Sequence, residues 1–136
     1  MRILLVLATF VAPFAKSDTV FEDRPALVVS NNKLELTVMS EGGALANLIL
    51  RDDPAKLSPL WNPTRIAREA GQPTLFGEAR GHFVCVDGFG PVSKEERAAG
   101  LTGHGEAHSL PWETRTQTRS GGTSILIQSV KLPIVQ

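Results

Sequence analysis

The heptapeptide KLELTVM, residues 33–39, constrains the fold more than any other stretch of this chain. Leu34, Leu36 and Val38 alternate with Lys33, Glu35 and Thr37. A repeat of two places successive side chains on opposite faces, so this run reads as a strand with one apolar and one wet face. ALVVS (26–30) precedes it, and Asn31-Asn32 supplies turn chemistry between the two. Gly42-Gly43 then permits a bend into ALANLILR (44–51), which Asp52-Asp53-Pro54 ends.

The same grammar returns at the far end. LPWETRTQTR (110–119) places Trp112, Thr114, Thr116 and Thr118 on one face, Ser120-Gly121-Gly122 turns the chain, and TSILIQSVKLP (123–133) returns as a partner strand. HFVCVD (82–87) reads as a further strand. Between residues 58 and 81 Pro59, Pro63 and Pro73, with Pro54 just before, break regular structure and predict a long connection. SKEERAAG (93–100) is the one expected helix: Ser93 caps it, Glu96 completes a capping box and Gly100 ends it. The fold class that follows is mainly β, an antiparallel β-sandwich with one short helix.

At 136 residues the chain is one domain at most. Lys and Arg equal Asp and Glu at 14 each, and the net charge is +0. No basic field exists to attract nucleic acid or an anionic membrane, so neither is an expected partner. Arg2 followed by an apolar run from Ile3 to Ala15, and then Lys16-Ser17-Asp18, has the shape of a secretory signal. The expectation is a leader over 1–15, a β-domain over 20–136, and a secreted or periplasmic location; a buried first strand or a membrane anchor is the alternative. The run is short for a membrane span. Cys85, the single cysteine, excludes an internal disulfide and reads as a buried structural thiol.

GHGEAHSLPWE (103–113) concentrates chemistry, with two of the three histidines. A histidine gives or takes a proton near neutral pH, glycines let a ligand approach the backbone, and Trp112 offers a face on which a sugar ring stacks. Glu106 would orient a histidine or accept hydrogen bonds from hydroxyls. On a strand, His104, Glu106 and His108 would face one side and make a metal site, with His82 as a fourth ligand. The i, i+4 spacing of His104 and His108 does not make the zinc-protease helix motif, because Gly105 follows His104 and Pro111 lies close by.

Wider spacing adds a resemblance. Glu41-Gly42-Gly43-Ala44 with Leu45 and Leu48, Pro59-Leu60-Trp61, Arg80-Gly81 followed by Phe83 and Phe89-Gly90, and Gly103-His104-Gly105-Glu106-Ala107-His108 with Trp112 occur in the order of motifs found in one family. In these segments the chain resembles the galactose mutarotase-like superfamily, which includes aldose 1-epimerases and hexose-6-phosphate mutarotases. The resemblance implies the N-terminal half of a β-supersandwich, and a carbohydrate-binding or carbohydrate-active protein that interconverts sugar anomers by acid/base ring opening. It needs no cofactor and no resident metal, and its partner is a monosaccharide or oligosaccharide.

By position, His104 matches the family's sugar-binding histidine and is the candidate catalytic residue. Arg80 matches an arginine that contacts substrate in the phosphate-sugar branch. His108 stands where that branch has arginine, and His82 where it has glycine; both departures favour a neutral sugar. The substrate-binding set is therefore Arg80, His82, His104, Glu106, His108 and Trp112. The family's general acid and base come from its second half, whereas this sequence has no histidine after His108 and no acidic residue after Glu113. The expectation is an N-terminal part, incomplete as an enzyme. A non-catalytic sugar-binding β-domain is the alternative, with a histidine-cluster metal protein as a third reading.

Overall fold

A computed structural model describes residues 2–10, 14–73, 79–86 and 88–134. The chain is mainly β, in two antiparallel sheets. In chain order the strands are β1 (Arg2–Phe10), β2 (Ala15–Phe21), β3 (Arg24–Ser30), β4 (Leu34–Met39), β5 (Leu45–Leu50), β6 (Glu113–Thr118) and β7 (Ser124–Lys131). One sheet has the order β2-β3-β4-β5 and the other β1-β7-β6.

The expected hairpins form for the reasons visible in their turns. The Asn31 side-chain carbonyl accepts from the backbone N–H groups of Lys33 and Leu34, both at 2.8 Å, and this closes β3 onto β4. The second hairpin pairs Thr118 with Ser124 and runs to Glu113 opposite Ser129.

Cross-strand register gives the larger sheet two distinct faces. Val29 lies opposite Leu36, and Leu27 opposite Val38. Val29, Leu36 and Val38 form one buried cluster with Leu126 of β7, which seats the two sheets face to face as a sandwich. Ala26 lies opposite Met39 on the other face, where both join Ala44 and Ala46 in a second cluster. This second face is covered too: Thr37 is only 3% exposed. The alternation therefore locates β4 correctly, while its expected wet face is buried at Thr37 and partly buried at Glu35.

Three elements depart from expectation. Residues 15–21, most of which were assigned to neither leader nor strand, form β2 along β3. Residues 63–69 form a helix, α1 (Pro63–Glu69), inside the proline-rich connection. Proline breaks a helix interior but is well placed at the first helical position, where its missing N–H costs nothing. Here Asn62 caps the helix, accepting from the Arg65 N–H at 2.9 Å. Residues 83–86 are not a strand. His82 makes an isolated bridge to Leu45, and beyond it no ladder continues among the described residues; Asp87 lies outside them. The alternation of that segment survives as packing: Phe83 joins the Ala26–Met39 cluster, and Val84 and Val86 join the cluster around Trp112.

The expected helix is present as α2 (Lys94–Ala98), with both hydrogen bonds of the Ser93–Glu96 capping box. Of the residues expected as leader, 1–15, Arg2–Phe10 form β1, which pairs antiparallel with β7 from Arg2↔Lys131 to Phe10↔Ser124, and Ala15 begins β2; Met1, Val11, Ala12 and Pro13 lie outside the described residues. No described helix is long and apolar enough to cross a membrane.

Candidate functional site

An open cavity of about 1100 Å³ lies at the edge of the second face of the larger sheet. Its floor is Pro25, Met39 and Ala44, from the strand ends and the Gly-Gly turn. Its walls are residues 79–83, 85 and 89 and residues 104, 108 and 109, none of them in a named strand. These bring in Arg80, His82, Phe83, Cys85, Phe89, His104 and His108. Trp61, just before α1, completes the wall.

Each polar side chain is held by a specific contact. The Arg80 Nε donates to the Glu22 carbonyl at 3.0 Å, which ties the guanidinium to the β2–β3 turn. The His82 Nε2 accepts from the Trp61 backbone N–H at 3.2 Å, and its main chain makes two 2.9 Å bonds with Leu45. His104 sits in the left-handed region, at φ 68°. Histidine visits that region more often than most residues, yet it is uncommon and clusters at functional sites. The ring stands edge-to-face against Phe83 and Phe89, at 84° to each, with centroids 5.2 and 5.8 Å away. Its Nδ1 lies 3.4 Å from the Cys85 Sγ and 3.3 Å from the Gly90 nitrogen.

His108 follows on a single 3-10 turn, Ala107–Ser109, with its ring 6.5 Å from that of His104 and 5.6 Å from that of Phe83. Burial, and then the neighbouring His104, hold its pKa below the usual imidazole value; the Gly105 backbone and the Glu41 carboxylate oppose that shift. The Glu41 carboxylate is the one acidic group on the cavity wall among the described residues, 3.9 Å from the Arg24 guanidinium. The result is a pocket with apolar, partly aromatic walls and a few polar groups at fixed places, the usual make-up of a small-molecule site.

Four of the six expected binding residues, Arg80, His82, His104 and His108, meet in this cavity. Two do not. Trp112 is 6% exposed and packs among Ala107, Val130 and Leu132. One ring face lies on Gly43, where a Cβ would be 2.9 Å from the indole, and Nε1 donates to the Ala107 carbonyl at 2.9 Å. No sugar can stack on a face already covered by backbone. Glu106 is 5% exposed, and both carboxylate oxygens accept from the Ile134 N–H, at 3.0 and 3.2 Å. It turns inward because the 3-10 turn, rather than a strand, follows it. The three-ligand set of His104, Glu106 and His108 is therefore not assembled, and the described residues hold no cluster of three or more metal-ligating side chains.

The sequence reading missed Trp61, Phe89, Glu41, Arg24 and Cys85 as cavity residues. Trp61 and Phe89 were visible as aromatic residues in irregular segments, and they are 41% and 92% exposed. Cys85, expected as a buried structural thiol, is half-buried beside His104 because its neighbours Val84 and Val86 take the core side of the segment. Comparison with known proteins gives no match: no family model, no curated protein and no solved structure is significantly similar to this chain.

Proposed function

We propose that the cavity binds a neutral monosaccharide and that the chain is a carbohydrate-binding protein of the aldose 1-epimerase kind. One observation carries the proposal. Arg80, His82, His104 and His108, chosen from the resemblance and from residue chemistry, line one cavity whose rim holds the aromatic faces of Trp61 and Phe89. Hydroxyls find hydrogen-bond partners in the imidazoles and the guanidinium, and the apolar face of a pyranose finds an aromatic ring.

Anomer exchange needs one group to take the proton of the anomeric hydroxyl and another to protonate the ring oxygen. His108, kept neutral by its surroundings, suits the accepting role. His104, 6.5 Å away between ring centroids, suits a hydrogen bond to the ring oxygen, which receives the proton that His108 has taken. Polarimetry of freshly dissolved α-glucose, with wild type against His104→Ala and His108→Ala, tests this. Acceleration by wild type and its loss in either variant is the expected result. Saturable sugar binding without acceleration leaves the second reading, a non-catalytic binding domain, and equal rates in all three proteins remove both histidines from the chemistry.

Export belongs to the same proposal. Cleavage after Ala15 removes β1 and leaves the β7 edge without that partner. N-terminal sequencing of protein recovered outside the cell, starting at Lys16, supports export; a start at Met1 in protein found only inside the cell opposes it.

A further inference from the structure

The environment of the His104 ring also decides which of its nitrogens carries the proton. Gly90 donates its backbone N–H to Nδ1 at 3.3 Å. An amide N–H only donates, so Nδ1 must be an acceptor. The contact is braced by its reciprocal, since the His104 N–H donates to the Gly90 carbonyl at 3.1 Å. The Cys85 Sγ lies 3.4 Å from the same nitrogen. With Nδ1 accepting, the thiol at that contact is the donor. Phe83 and Phe89 both meet the ring at 84°, which limits its rotation away from these two partners.

We propose that His104 is held as the Nε2–H tautomer and that Cys85 is the positioning residue which, with the Gly90 amide, holds it there. A neutral imidazole carries one N–H, and the partner of one nitrogen sets the state of the other. His104 therefore presents a hydrogen-bond donor on the edge of the ring opposite Cys85. The ligand atom it meets is an acceptor oxygen, not a proton to be removed. Naming that oxygen as the ring or hydroxyl oxygen of a sugar rests on the carbohydrate proposal; the tautomer does not.

Long-range proton–nitrogen NMR on the uniformly ¹⁵N-labelled full chain, without sugar and in mildly alkaline buffer, tests the assignment. The expected spectrum has Nδ1 of His104 in the unprotonated range and Nε2 in the protonated range. Cys85→Ala moves the Nδ1 resonance toward that of an acceptor with one partner fewer, and Cys85→Ser restores it, because a hydroxyl also donates. A proton on Nδ1 overturns the proposal, as does a doubly protonated ring facing a thiolate, or a Nδ1 resonance unchanged in Cys85→Ala. The wild-type spectrum alone decides the tautomer should either variant fold poorly. Since no sugar is present, failure here leaves the ligand proposal standing, and failure of sugar binding leaves this one standing.

Discussion

The carbonyl of Val86 occupies the space that a side chain on Gly105 would need. Gly105 has φ 80°, so it is also in the region that disfavours a Cβ. This contact docks the 103–109 segment onto residues 79–86 immediately beside His104. Gly105→Ala forces a backbone shift as well as strained dihedrals. The expected loss is roughly 3 kcal/mol of stability, read from denaturant unfolding, together with displaced NMR signals of His104. A variant as stable as wild type shows that the two segments are not held by this contact.

Trp112 is core, so its replacement acts on stability. Trp112→Ala is expected to cost about 3–5 kcal/mol, the usual range for a buried aromatic. Trp112→Phe keeps much of the packing and leaves Trp61 as the single tryptophan of a chain that has two. A fluorescence response to added sugar is then expected to persist in Trp112→Phe and to vanish in Trp61→Phe. The reverse pattern places the ligand at Trp112.

Glu106 ties the chain after β7 to the 103–109 segment through the Ile134 amide. Glu106→Ala removes the acceptor of that part-buried donor, at a cost of about 1 kcal/mol. Hydrogen exchange at the Ile134 amide is the local readout, and it is expected to accelerate far more than exchange in β3 or β4. Unchanged protection at Ile134 means that the contact contributes nothing.

His108 gives stability a pH dependence of definite sign. Its folded-state pKa lies below the unfolded value because burial and His104 disfavour the charged ring. The unfolded chain therefore binds more protons in the interval between the two values. The contribution is fully present above the unfolded pKa, about 6.5, and is lost as pH falls through the folded one. Thermal unfolding of wild type is expected to weaken over that interval, and His108→Asn to flatten the dependence. His104, Glu41 and the Gly105 backbone surround His108, so His104→Asn should flatten it to a smaller extent.

Local signals made some parts of this molecule legible in sequence and left others hidden. Asn31, Ser93 with Glu96, and Gly121-Gly122 act on neighbours within a few residues, and the β3–β4 turn, α2 and the β6–β7 hairpin formed as their chemistry dictates. Pro63 misled because its effect depends on whether it sits at the first helical position or inside, and Asn62 decides that. Residues 83–86 misled because a two-residue alternation reports two packed faces, with or without a neighbouring strand. At the site, the resemblance points to Arg80, and the resemblance together with residue chemistry to His82, His104 and His108. Neither could separate Trp112 from Trp61. That distinction depends on Gly43 meeting Trp112 across almost seventy residues of chain, which is tertiary information.

Chemical-shift mapping with D-galactose on the uniformly ¹⁵N-labelled chain tests the proposed sugar site most directly. Saturable shifts at Trp61, Arg80, His104 and His108, with Trp112 and Glu106 little moved, are the predicted result. No saturable shifts, or shifts centred on the groove of Lys56, Arg65 and Arg68 on another part of the surface, contradict it.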